Sequence, residues 1–325
     1  MIAPTTPTGP TGGAPSLAPT SVAEPAAPTP GGSWLAEFAR LVRWELFLAW
    51  RRRAMMITLG SLLLVGYFVV VLFQYGLYIS VGADGQTTGG LVENLTFPGA
   101  VSIGGGYVSY VGVLLFVVLA GALIGSEYSY STLRLSLARG VGRGRLLAAQ
   151  VVALALMALG LTALMLTLSG LVGLLGTATG LSQTNTTISA ALVGELIAYW
   201  LALALNIFAY ALIALWIGTL SRSVAGAIAG PLVFIVVEVV AGDILMAIAA
   251  VSERDTMLNM IAHIPQYLLG VNVGALITLA GDGPYALTNG QAPVSGLHAL
   301  IVCGVYCALF IGISYLALAH RDIVE

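Results

Sequence analysis

The chain has 325 residues, of which 58% are apolar and only 8% charged, and its formal net charge is −2. A soluble domain carries about 25% charged residues, so these values exclude a soluble fold and predict an all-α, polytopic membrane protein. The charge balance gives no pointer to nucleic acid, and none is expected as a partner.

Residues 1–33 are rich in Pro, Thr, Ala and Gly, with Glu24 the only charged side chain. Nothing there can build a core, so a disordered tether is expected. It has no basic stretch followed by an apolar run and does not read as a secretory signal. Over 34–53 the pattern turns amphipathic: Leu35, Phe38, Val42, Leu46 and Ala49 recur at helical spacing, with Glu37, Arg40 and Arg43 off that stripe. Trp34, Trp44 and Trp50 add interface-seeking rings, and Arg51, Arg52 and Arg53 close the segment. A helix lying in the cytoplasmic headgroup layer is expected, a soluble helix packed on a partner being the other reading.

From 54 to 325 the chain reads as one transmembrane domain. Six runs reach the ~20 residues needed to cross a hydrocarbon core, at 54–80, 107–124, 146–176, 188–220, 224–250 and 296–319, the second being the shortest and open to a start a few residues earlier. With the N-terminus inside, eleven of the twelve arginines fall on the inner face and only Arg254 on the outer. Basic residues favour the cytoplasmic side, which predicts a multi-pass protein of the plasma (inner) membrane with both termini cytoplasmic. The outer segments are then a Gly-rich loop at 81–106, an uncharged loop at 177–187, and a longer stretch at 242–295. Within the last, apolar pieces at 257–264 and 267–279 are split by Pro265 and read as short re-entrant or interfacial outer helices.

The segment 125–150, between the second and third spans, holds Arg134, Arg139, Arg143 and Arg145. Leu133 and Leu137 lie four apart, Arg134 and Arg139 face elsewhere, and Gly140 is a plausible helix stop. A short cytoplasmic helix followed by a basic turn is expected, a good handle for a soluble partner. No lysine occurs anywhere in the chain. A Walker A loop needs its Gly-Lys-Ser/Thr, so nucleotide-driven work would require a separate ATPase.

Gly125-x-Glu127, then Thr132-Leu133-Arg134, Val141-x-Arg143 and a leucine-rich re-entry together resemble the ABC-2 family of transporter permeases. Two positions depart from that family: Ser131 stands where a glycine precedes the threonine, and Gln150 where a lysine is frequent. With the hydropathy layout the resemblance covers roughly 34–325. It implies a six-span fold with an N-terminal interfacial helix, a coupling helix between spans two and three, and short outer helices between spans five and six. It also implies a permease subunit of an ATP-driven exporter, paired with a second copy or paralogue and with two ABC ATPase subunits. ATP and Mg would sit on the ATPase, with no cofactor on this chain. By the same resemblance Glu127, Thr132, Leu133, Arg134, Arg139 and Arg143 take part in coupling.

Polar groups inside apolar runs are costly and ask for a reason. Glu195, Glu238 and Asn206 are candidates to line a pathway, attract a cation or carry a proton; the plainer reading is a bond to a neighbouring helix. Cys303 and Cys307, one turn apart, read as packing, with no metal site expected. Gly121-x-x-x-Gly125 and Gly226-x-x-x-Gly230 are spaced for close helix contact, and Pro231 predicts a bend.

Two other function classes fit the sequence less well. A secondary transporter predicts inverted repeats and broken helices, and the sequence has no convincing repeat. An intramembrane protease needs buried catalytic pairs, whereas Asp243, Asp282, His263, His298 and His320 fall at or beyond the membrane borders in this topology.

Overall fold

The computed structural model describes residues 34–81, 88–129, 142–181, 189–251, 263–283, 287–288 and 291–320. Its helices are α1 (Trp34–Arg51), α2 (Arg53–Val81), α3 (Thr88–Leu95), α4 (Gly99–Tyr107), α5 (Val113–Ser129), α6 (Arg143–Ala178), α7 (Ala190–Ser221), α8 (Val224–Val251), α9 (Leu269–Gly281) and α10 (Gly296–Ala319). A π-helical turn, Val108–Gly112, joins α4 to α5, and a 3-10 turn, Ile264–Tyr267, precedes α9.

Six helical stretches are long and apolar enough to cross a membrane: Arg53–Val81, Gly99–Tyr128, Arg143–Ala178, Ala190–Ser221, Val224–Leu245 and Gly296–Ala319. The shortest has 22 residues, about 33 Å at ~1.5 Å per residue, against a hydrocarbon core of about 30 Å. The six expected spans are therefore present. The second begins at Gly99, earlier than the sequence predicts.

That difference has a physical cause. The glycine-rich run at 81–106 reads as a loop from composition, yet its described part holds α3 and α4. Here glycine serves close approach: a Cβ at Gly104 would collide with Ser169 of α6, and one at Gly105 with the Tyr199 ring of α7. Contact across the bundle outweighs the weak helix propensity of glycine.

The molecule is arranged around α7, which packs against α5, α6, α8, α9 and α10. Of its most apolar stretch 72% is buried, against 11% for α2 and 17% for α8, so α7 is central and the other two are peripheral. The outer helices turn apolar side chains outward: Val65, Phe68 and Leu72 on α2, and Val233, Val236, Val237 and Val240 on α8, are exposed. This is the arrangement of a protein whose surroundings are hydrocarbon. In the middle of the bundle the π turn disturbs the regular backbone ladder, and the Asn206 amide donates to the Ser109 carbonyl there at 3.3 Å.

Both glycines of Gly121-x-x-x-Gly125 lie where α5 meets the start of α8. A Cβ at Gly125 would sit 2.6 Å from the Val224 Cα, and one at Gly121 would run into the Ala227 carbonyl. Pro231 has no N–H to offer the carbonyl four residues back, so Ala227 is the residue whose carbonyl it leaves without a helical donor. The proline does not end α8.

The turn from α7 to α8 is Ser221, Arg222 and Ser223. Arg222 caps α7 with φ 52°, its N–H donating to the Gly218 carbonyl at 2.9 Å. A non-glycine residue in this left-handed region is disfavoured by roughly 1 kcal/mol. Arg222→Gly is therefore expected to raise the Tm of the purified protein by a few degrees, read in a thermal melt in detergent; an unchanged or lower Tm counts against this strain.

Candidate functional site

The described arginines gather at one end of the bundle, Arg222 among them, since its turn lies against Gly125 of α5. There α1, the C-terminal turn of α5, the N-terminal turn of α6 and the end of α10 meet. Arg52, between α1 and α2, donates to the Ala122 carbonyl at 3.1 Å and to the Ser126 hydroxyl on α5. Arg143 opens α6, and its guanidinium donates to the Leu318 and Ala319 carbonyls at 3.2 and 2.7 Å. It thus satisfies carbonyls that the end of α10 leaves open, where a cation also suits the helix dipole. Arg145 faces Glu37 of α1 at 3.6 Å, an exposed pair of little energetic weight.

Glu127 lies near the C-terminus of α5, where the helix dipole disfavours a negative charge. It is nonetheless buried. The Gln150 amide of α6 donates to its Oε2 at 2.5 Å, and Glu45 of α1 lines the same small cavity. These groups line a cavity of about 20 Å³ with Arg52, Leu48 and Ile124, room for about one water molecule. Burial pushes the Glu45 carboxyl up to about 7.

Of the coupling residues expected from the sequence, Thr132, Leu133, Arg134 and Arg139 lie outside the described residues, as does the stop at Gly140. Glu127 and Arg143 lie at the two feet of the 125–150 connector. Among the described residues, Arg52 is a cation that acts on Glu127. Arg143 is tied to α10.

The three candidate pathway residues are not brought together. Glu238 on α8 accepts from the Tyr210 hydroxyl of α7 and from the Gly270 N–H of α9, both at 2.8 Å. It caps the first turn of α9 from a distance. Glu195 on α7 accepts from the Leu287 N–H at 3.4 Å and lies against Gly283. Asn206 serves the π turn. Between α4, α6 and α7 a separate cavity of about 430 Å³ is lined by apolar side chains such as Phe97, Leu166, Leu171, Ile197 and Trp200.

Sequence reasoning missed Glu45 and Arg52. The signal was their spacing: Val42, Glu45, Ala49 and Arg52 fall on one helical face, and Val42 and Ala49 are its buried members. Of the stripe expected for α1, Val42 and Ala49 are buried and Phe38 and Leu46 half-buried, while Leu35 at the helix start is 58% exposed. Cys303 is buried and Cys307 partly so, and both are free thiols. Among the described residues no group of three or more His, Cys, Asp or Glu side chains is placed to hold a metal ion.

No curated protein matches the chain. The family described as "Protein of unknown function (DUF2705)" matches residues 67–324, from within α2 to beyond the end of α10, and the chain belongs to that family.

Proposed function

We propose that the chain is the membrane-spanning permease subunit of an ATP-driven exporter of the ABC-2 type. Two such subunits, copies or paralogues, would form the pathway, and two ABC ATPases would bind ATP and Mg beneath them. The arginine-rich end would face the cytoplasm of a plasma (inner) membrane, and the 125–150 connector would receive the push of ATPase closure.

One observation carries this reading: the feet of the connector are fastened to each other and to the bundle. Glu127 at one foot bonds Gln150 beyond the other, and Arg143 bonds the end of α10. A displacement of the connector would therefore reach α5, α6 and α10 together. A loose topological loop has no need of such ties.

The test is purification of the tagged full-length chain from its own membranes. An ATPase bearing a Walker A sequence is expected to copurify, and Arg134→Ala is expected to lose it or to uncouple ATP hydrolysis from transport. A preparation free of any ATPase, with transport intact, would falsify the exporter reading. Orientation is checked with Gly142→Cys in a background lacking Cys303 and Cys307. Impermeant thiol reagent is expected to label it only after the membrane is opened; labelling on intact cells would reverse the topology.

A further inference from the structure

We propose that the cavity between α4, α6 and α7 is a binding site for one acyl chain of a bilayer phospholipid, which enters from the end of the bundle away from the arginines and runs down to Trp200. The site is independent of the transport reading.

The walls of the cavity are two facing helical stripes. On the second half of α6, Ala163, Thr167, Gly170 and Leu174 recur at helical spacing, and at the start of α7, Val193, Ile197 and Trp200 do the same. From Ala163 to Leu174 the slot runs about 16 Å at ~1.5 Å per residue, close to the ~15 Å of half a hydrocarbon core. Val101 is buried at its back, while Leu171, Leu174, Val193 and Ile197 are exposed along its open flank. The lower end is closed. The Trp200 indole N–H donates to the Leu159 carbonyl at 3.1 Å, so the ring bridges α7 to α6 one turn below Ala163. Gly170 keeps the slot open: a Cβ there would meet only the Val101 and Phe97 side chains, at 3.9 and 4.0 Å. Helix contact does not require glycine at this position, and a longer side chain would grow into the slot.

Lining and size together select the occupant. The Thr167 hydroxyl donates to the Ala163 carbonyl at 2.7 Å and the Phe97 N–H to the Gly173 carbonyl at 3.1 Å, so these polar groups are already bonded within the protein. What remains is hydrocarbon wall, which suits an occupant that is apolar along its length. The volume is about 430 Å³. A helix of a second copy is too large, since at ~10 Å across it fills roughly 1,200 Å³ over the same length. A single hydrocarbon chain, at the ~4 Å contact spacing of carbon atoms, takes roughly 250–300 Å³ over that length; one fits and two do not. Lipid tails are as apolar as leucine, so packing rather than the hydrophobic effect decides where a chain stays. A chain in the slot touches α4, α6 and α7 at once, whereas one against the outward face of α2 or α8 touches a single helix. It therefore gains more dispersion contacts for each methylene.

The experiment uses the full-length chain in phosphatidylcholine nanodiscs that include a phosphatidylcholine with a diazirine at the far end of one acyl chain. After photolysis the adducts are mapped by mass spectrometry. They are expected to be severalfold denser on Leu166 and Trp200 at the foot of the slot than on Phe68 and Leu72 of α2 or Val236 of α8, although those three are the more exposed. Gly170→Leu fills the slot and is expected to bring the Leu166 and Trp200 adducts down to the level on α2, while those on α2 and α8 persist. Gly170→Ala, whose Cβ makes only ordinary contacts, is expected to keep them. Ala163→Leu fills the slot from its lower end and serves as the second variant if Gly170→Leu folds poorly. Equal labelling of the slot and of α2 and α8 in the wild type overturns the proposal without any variant. So does undiminished labelling of Trp200 in a folded slot-filling variant, since the chain end would then reach the ring by another way.

Discussion

Gly121→Val is expected to prevent α5 and α8 from closing on each other, costing about 3 kcal/mol or more. The added side chain would meet the Ala227 carbonyl, which is backbone and has no rotamer by which to give way. Gly125→Val meets the Val224 Cα in the same manner and should behave alike. Gly60 and Gly304 provide the controls, because nothing lies within 4 Å of a Cβ at either. Gly304→Ala should be neutral or stabilising by up to about 1 kcal/mol, since glycine weakens a helix interior. The measurement is monodispersity and Tm of each variant in detergent. Equal melting of Gly121→Val and Gly304→Ala would mean that the helices do not depend on this contact.

Glu238→Ala is the second change of large effect. It leaves the Tyr210 hydroxyl and the Gly270 N–H without their acceptor in a buried setting, at about 1–3 kcal/mol for each donor stranded. Glu238→Gln keeps an acceptor for Gly270 and reverses the bond to Tyr210, whose hydroxyl can accept as well as donate. It should therefore recover most of the stability. Thermal melts of the two variants, with hydrogen exchange followed at α9, separate the cases. If Ala and Gln variants melt together, the carboxyl is not the joint between α7, α8 and α9. Should Glu238→Gln fold normally yet change the pH dependence of export, the residue would have a role in transport beyond this joint.

The helical class and the number of spans were legible because both depend on composition and run length, which need no partner. The Gly121-x-x-x-Gly125 contact was legible too, since small residues four apart on one helix announce a close neighbour. The boundary of the second span was not. Glycine in 99–106 looks like loop chemistry until Ser169 and Tyr199 are seen facing it. For the same reason the Glu127 site was only half visible. Its place near a helix end could be read from the chain, but its neighbours include Glu45, 82 residues earlier by number, and Gln150. Pairings between distant segments leave no local pattern. Glu238 could be flagged as a carboxyl in an apolar run; that its partner would be a backbone N–H of α9 could not, because any residue carries that group.

The central position of α7 also bears on how the protein is made. A chain leaves the ribosome from its N-terminus, so α5 and α6 are available when α7 emerges, whereas α8, α9 and α10 are not. Three of the five helices that cover the most buried span are thus synthesised after it. During that interval Tyr210 lacks Glu238, and Glu195 lacks the Leu287 N–H that later meets it. Asn206, by contrast, turns to Ser109, which has already been made. The newly inserted α7 must therefore wait beside the insertion machinery, or within a lipid shell that tolerates its polar groups, until the last third of the chain arrives. Truncation after α8 would leave that wait without an end, and the fragment would be a substrate for membrane quality control rather than a smaller version of the protein.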